Sequence, residues 1–147
     1  MIYDMTADIL EKASKSLLKP IAEVIVASDG VSIPDDFLGF VIQVHHKANT
    51  IYSNDGKMPI VSVYEMEVMR KAVGSLDIAR QQNSGASIAM TFRDIQSVVD
   101  SLLEEGMMMN IINTSQISED VATTEAEVCL FTNTFEVTCQ PLLVEEE

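Results

Sequence analysis

The sequence is poor in cations, aromatic residues and cysteines. Nine Lys and Arg stand against 23 Asp and Glu, so the formal charge is −14, and the 147 residues include no Trp and only two Cys. With so few cations, the chain is poorly suited to neutralising the phosphates of a nucleic-acid backbone. The composition therefore argues against a protein that binds nucleic acid specifically.

Long apolar runs are also lacking. No stretch approaches the ~18 consecutive apolar residues of a membrane-spanning helix, and the first residues lack the basic segment of a secretory signal. Cys129 and Cys139 are ten residues apart. On one extended strand they would lie about 33 Å apart and could not bond, whereas a reversal near Thr134 would let them face each other. We favour two free, buried thiols in a chain made in the cytosol, without contact with a membrane.

What is present favours an ordered domain. Apolar residues make up 47% of the chain and charged residues 22%, which is enough apolar surface to form a core. The length suits a single domain, which we place at residues 1–141, followed by an acidic tail at residues 142–147.

Two amphipathic helices are predicted. The first covers Met5–Lys19, where apolar residues recur every three or four positions up to Pro20. The second covers Phe92–Glu105, with Thr91 and Asp94 in a capping pattern and Gly106 as the stop.

The remaining regular segments are predicted strands. A strand at Phe40–Tyr52 leads into a turn at Asn54-Asp55-Gly56, and a partner strand returns from Ile60 and ends near Arg70, which makes a long central hairpin projecting Asn54–Lys57. Further strands are expected at Ile21–Ser28, Met107–Ile112 and Glu125–Gln140, the last a single strand or a tight hairpin closed by Pro141.

The intervening segments complete the predicted fold. Gln81–Ser87 and Asn113–Asp120 are expected to be loops, and Leu76–Arg80 remains open between helix and strand. The fold class is α+β: a mostly antiparallel sheet with a long central hairpin and two amphipathic helices packed on it.

No residue pattern indicates catalysis. Adjacent His45 and His46 on a strand point to opposite faces and cannot bind one metal ion together, so we expect one half-buried and one exposed histidine. Neither Cys129 nor Cys139 lies in a context that activates a thiol, and acidic pairs such as Asp35-Asp36 are typical of solvated loops. We therefore predict no enzyme, and no catalytic, cofactor or metal site.

Three classes of function compete. The projecting hairpin, the long strands and the adaptable Met107-Met108-Met109 triplet favour a non-enzymatic assembly subunit, although core filling is the first expectation for the triplet. The charge of −14 also fits an acidic inhibitor or decoy that binds a basic partner. An enzyme of unfamiliar type would depend on isolated His or Asp residues, and nothing specific favours it.

The order of elements resembles that of the small tail-terminator and neck subunits of tailed bacteriophages. The matching pieces are the helix Met5–Lys19, the hairpin Phe40–Val68, the helix Phe92–Glu105 and the closing strands. The resemblance implies a homo-oligomeric ring, a hexamer at the head–tail junction or tail end, which contacts other structural proteins of the virion after assembly in the host cytoplasm. Tail-tube subunits share this order. In such a ring the acidic residues would line a negative lumen past which DNA slides.

Overall fold

A mixed sheet of five strands carries three α-helices on one face in a computed structural model, which describes residues 5–52 and 59–144. The helices are α1 (Met5–Leu18), α2 (Ser75–Thr91) and α3 (Ile95–Leu102). The strands are β1 (Val24–Val26), β2 (Phe40–Tyr52), β3 (Pro59–Val73), β4 (Met107–Glu125) and β5 (Val128–Val144). None of these helices is long and apolar enough to cross a bilayer.

The strand order across the sheet is β1-β2-β3-β5-β4. β1 pairs with β2 in parallel, and the other three neighbouring pairs are antiparallel. The predicted α+β class with a mostly antiparallel sheet is thus found, with one parallel pair and one helix more than expected. β2 and β4 run in opposite directions, because three antiparallel pairings separate them.

The core lies between the helices and one face of the sheet. Alternate residues of β3 and β5 point to this helix-covered face, among them Met66, Val68, Phe135 and Val137, and all four are buried. The rings of Phe92 and Phe135 meet with centroids 4.7 Å apart. On the opposite, open face the side chains of β3 and β5 are mostly half-buried, since no α-helix packs there.

Several predicted elements are confirmed. α1 ends at Leu18, one residue before the expected end, and β2 covers Phe40–Tyr52 as expected. β3 continues to Val73, three residues beyond the expected end near Arg70. The predicted turn and its projecting tip, Asn54–Lys57, lie outside the described residues.

The prediction of a polar loop at Gln81–Ser87 is wrong. This segment lies inside α2, which also includes Leu76–Arg80. The segment itself holds few apolar residues. On either side of it, however, Ile78 packs against a small cluster of buried residues, and Ile88 lies in the main core. Tertiary contacts at a few positions therefore outweigh the weak local preference for a helix.

The predicted helix at Phe92–Glu105 is shorter than expected and begins differently. A 3-10 turn covers Phe92–Asp94, and α3 follows from Ile95. The expected capping pattern is absent from these residues: the Asp94 side chain makes no capping bond, and Thr91 Oγ1 donates instead to the Ser87 carbonyl oxygen at 2.8 Å.

The second half of the sheet also differs from the prediction. Asn113–Asp120 is the middle of the 19-residue β4, and the hairpin reverses between Glu125 and Val128, where Glu127 has a φ of 61°. β5 continues past Pro141 to Val144, so the proline does not end the strand. The strand expected at Ile21–Ser28 is reduced to the three residues of β1.

Candidate interaction surface

β4 forms one edge of the sheet in the described chain, with β5 as its neighbour on one side. At 19 residues it is far longer than the ~5–6 residues of an average strand. Four large apolar side chains along it are exposed: Met108, Ile112, Ile117 and Val121. An exposed edge of this length is a template for pairing with another chain.

Register shifts divide this edge into shorter regular pieces. Four of them interrupt the pairing of β4 with β5; the first leaves an extra residue on β5, and the other three each leave one on β4. The longest uninterrupted piece is Ser118–Thr123. Because bulges bend a strand and disturb its outer edge, this piece is the part of β4 best prepared for regular pairing.

The start of β4 is covered by a side chain of α3. Gln96 Nε2 donates to the Met109 carbonyl oxygen at 3.1 Å, and the Ile111 amide donates to Gln96 Oε1 at 2.6 Å. The primary amide of Gln96 therefore satisfies two backbone groups of β4, as a neighbouring strand would. The exposed part of the edge lies beyond this point, towards the hairpin end.

The opposite edge of the sheet is also partly open. Within the described residues, β1 pairs with β2 only from Phe40 to Ile42. From Gln43 to Tyr52, the outer side of β2 makes no backbone hydrogen bond to another segment among the described residues. The sheet thus presents two different open edges, one on β2 and one on β4.

The ionisable side chains of the two open edges differ in type, with acids on β4 and two histidines and one lysine on β2. β4 contains Glu119, Asp120 and Glu125 and no Lys, Arg or His. β2 contains His45, His46 and Lys47 and no Asp or Glu. This difference between the two edges could not be predicted from the sequence, because it depends on which strands lie at the edges of the sheet.

His45 and Lys47 of β2 contact acids on neighbouring strands. His45 Nε2 lies 3.0 Å from Glu67 Oε1, and Lys47 Nζ lies 2.8 Å from Glu136 Oε2 and 3.8 Å from Glu65 Oε1. The hydrogen bond to Glu136 and its charge raise the pKa of Lys47. All of these side chains are partly accessible, so the interactions order the open face more than they stabilise the fold.

The two histidines lie on opposite faces, as expected, and both are exposed, so the prediction of one half-buried histidine is wrong. The imidazole of His46 packs against Tyr64 with ring centroids 5.0 Å apart. No cluster of three or more His, Cys, Asp or Glu suited to a metal ion occurs among the described residues.

The thiols and the methionine triplet have separate environments. Cys129 and Cys139 are both buried on β5 as thiols that form no disulfide, which confirms that prediction. Of the triplet, Met109 is buried, Met107 is half-buried and Met108 is exposed. The triplet therefore both fills the core and contributes to the β4 edge.

Arg70 is a buried cation that sequence reasoning missed. It is only 3% exposed, and its guanidinium donates from Nε to Gln81 Oε1 at 2.7 Å, from Nη2 to the Gln81 carbonyl oxygen at 3.0 Å, and from Nη1 to Asn133 Oδ1. The guanidinium carbon lies 5.1 Å from the centroid of the Phe131 ring. Burial lowers the pKa of Arg70, and the charge of Glu119 opposes that shift. In the sequence, Arg70 follows Met66 and Val68 at alternate positions, and this spacing indicates that its side chain points to the same face of the strand.

An apolar pocket of about 310 Å³ lies on the open face, beneath the loop that precedes β2. Its apolar walls come from the loop and from three strands, by Ile33, Phe37, Val41, Met69 and Leu130. Lys71 also lines it, and its Nζ donates to the Asp35 carbonyl oxygen at 2.8 Å, which holds the loop against the sheet. Its lining residues include no pairing of a nucleophile with a base.

No family model matches the chain, and no curated protein matches it.

Proposed function

We propose that the chain is a non-enzymatic virion assembly protein, a ring-forming subunit of tail-terminator, neck or tail-tube type from a tailed phage. The observation that carries this proposal is the exposed edge strand β4, where Ile117 and Val121 are 47% and 51% exposed beyond the part covered by Gln96. Exposed strand edges in monomeric proteins are normally covered or blocked, because they pair with other chains. A subunit that assembles has a use for such an edge.

The order of elements supports the phage assignment. An N-terminal helix, a hairpin, a helical segment and a closing pair of strands follow one another along the chain. The ring would contact other structural proteins of the virion. DNA would pass its lumen, where acidic side chains would repel the phosphates and keep the duplex from adhering.

Sedimentation of the purified chain over a range of micromolar concentrations tests this proposal. We expect the wild type to form an oligomer, and we expect Ile117→Lys to shift it towards monomer, because a charge replaces apolar surface at the edge. Leu76→Lys is the matched control, since Leu76 is 68% exposed but lies on α2. It should leave the oligomer unchanged.

Two outcomes would contradict the proposal. The first is a wild-type chain that remains monomeric both alone and with candidate virion proteins. The second is equal loss of assembly in both variants, which would mean that β4 has no special part. If a monomeric chain instead recovers one basic protein in a stoichiometric complex, the acidic inhibitor or decoy becomes the better account.

A further inference from the structure

We infer that a pocket between the end of α2 and β4, walled by Arg93 and Gln116, binds a small organic acid that has one carboxylate and an apolar body. The pocket has a volume of about 200 Å³ and lies on the helix-covered face of the sheet. Its lining consists of one Arg, one Gln, one Thr and four apolar residues, without Asp or Glu. Such binding goes beyond the proposed function and does not require a ring.

Arg93 supplies a guanidinium that no acid neutralises within the described chain. It lies on the 3-10 turn Phe92–Asp94, is exposed, and forms no ion pair and no side-chain hydrogen bond among the described residues. Lys12 and Lys47, by contrast, have acidic partners. A guanidinium carries five N–H donors in a planar arrangement that matches a carboxylate, so Arg93 is suited to bind one.

The acids closest to this pocket in sequence do not line it. Asp94 follows Arg93 in the chain but is not part of the wall, and the Glu119 carboxylate of β4 lies against Gly85 on α2. The pocket therefore has a cation without an acid, in a chain where acids outnumber Lys and Arg by 23 to 9.

β4 supplies further donors to the wall. Thr114 pairs with Val137 and Gln116 with Phe135, so both side chains point to the helix-covered face. Gln116 Oε1 accepts from Asn133 Nδ2 at 3.2 Å, which leaves the NH₂ group of Gln116 without a partner among the described residues. Thr114 Oγ1 is buried and likewise has no partner in the described part of the chain. Because unpaired polar groups are unfavourable, an acceptor in this pocket would be stabilised.

The rest of the wall is apolar. Phe92 and Phe135, whose ring centroids are 4.7 Å apart, form it together with Ala89 and Met90 of α2. An apolar wall with a few polar groups is typical of small-molecule sites, and the volume lies below the ~300–1,000 Å³ of pockets for drug-sized ligands. A dianion would bring two charges to one guanidinium in a chain of charge −14, so a small monocarboxylate fits best.

Titration of the full chain with sodium benzoate, followed by the NMR shifts of its backbone amides, tests this site. We expect saturable shifts at Ala89, Thr114 and Gln116. Benzamide has the same shape without the charge, and inorganic phosphate has charge without the apolar body. Each should bind at least about tenfold more weakly than benzoate. Hexanoate, a second monocarboxylate, should compete with benzoate.

Two variants test the donors. Arg93→Met should raise the dissociation constant for benzoate about tenfold or more, because the ligand loses its counter-charge. Gln116→Glu retains an acceptor for Asn133 but adds a negative charge to the wall, so it should weaken binding by at least as much. Arg80→Met is the matched control, since it makes the same charge change at an exposed position of α2 outside the pocket; it should bind as the wild type does. Circular dichroism checks the fold of each variant.

Several results would overturn the site. These are a wild type that binds neither benzoate nor hexanoate saturably, benzamide or phosphate that binds as tightly as benzoate, and benzoate binding that Arg93→Met and Gln116→Glu leave unchanged. An equal loss in Arg80→Met would also overturn it, because the effect would then be one of overall charge. None of these results concerns the oligomeric state, so the proposed function is tested separately by sedimentation.

Discussion

The side chain of Arg70 connects several elements of the fold. Its guanidinium connects β3 to Gln81 on α2 and to Asn133 on β5, and Asn133 Nδ2 in turn donates to Gln116 Oε1 on β4 at 3.2 Å. Four elements thus share one buried polar network. A partly satisfied network of this kind is costly, because each buried polar group that loses its partner is not rehydrated.

Arg70→Met should lower the free energy of unfolding by about 2–3 kcal/mol, because the buried Asn133 Oδ1 would lose its donor and Gln81 would keep only the Ser84 hydroxyl as a donor. The midpoint and slope of urea unfolding, followed by circular dichroism, measure the loss. Arg93→Met, at an exposed arginine, should change stability by less than about 0.5 kcal/mol. Equal losses in the two variants would show that the buried network contributes nothing specific.

Gly39 is required by close packing. A Cβ at this position would overlap the Glu23 carbonyl oxygen, which accepts the hydrogen bond from the Phe40 amide at 2.8 Å. That carbonyl belongs to the segment leading into β1, so Gly39→Ala should push β1 away from β2. We expect a loss of about 1–3 kcal/mol in the free energy of unfolding, as for other overpacked sites.

Ser32→Ala, in the same exposed loop, is the comparison for Gly39→Ala and should have little effect. Amide hydrogen exchange should also show faster exchange at β1 in Gly39→Ala alone. Unchanged stability together with unchanged exchange at β1 would mean that the neighbouring backbone yields easily.

At the scale of elements, Gln96 links α3 to β4. Gln96→Leu removes the acceptor of the Ile111 amide and the donor to the Met109 carbonyl, and both groups then lose their partner. We expect a loss of about 1–3 kcal/mol in the free energy of unfolding and faster exchange of the Ile111 amide. Gln82→Leu, at an exposed position of α2, should affect neither. An Ile111 amide that exchanges at the wild-type rate in Gln96→Leu would contradict this description.

The sequence predicted elements best where local pattern and tertiary role agree. α1 has a continuous apolar stripe and ends before Pro20, and β2 has apolar residues at alternate positions from Phe40 to Val44, so both were predicted nearly to the residue. α2 was missed because its helix depends on contacts at a few positions such as Ile78 and Ile88. The middle of β4 was missed because an edge strand has an exposed, polar sequence that looks like a loop.

The interaction surface was predictable only in part. We expected long strands to leave edges that need to be covered. Which strands lie at those edges, however, depends on the order of strands in the sheet, β1-β2-β3-β5-β4. The cover that Gln96 gives to β4 is likewise a contact between residues 15 positions apart in sequence. Such contacts follow from the topology of the sheet, and the local periodicity of a single sequence does not reveal that topology.

At the scale of the whole molecule, the low number of Lys and Arg residues can be related to particular strands. Lys47 is the one Lys or Arg of β2 and is already paired with Glu136 and Glu65, whereas β4 has three acids and no Lys or Arg. The overall charge of −14 opposes association through general repulsion, so a contact between copies must depend on local complementarity.

The mass of the wild-type chain in solution tests the account most directly. Native mass spectrometry or light scattering at micromolar concentration should give a discrete multiple of 16.2 kDa, as expected for a closed ring, and the resemblance to tail terminators implies six copies. A single species of 16.2 kDa across that concentration range, unchanged when candidate virion proteins are added, would contradict the account.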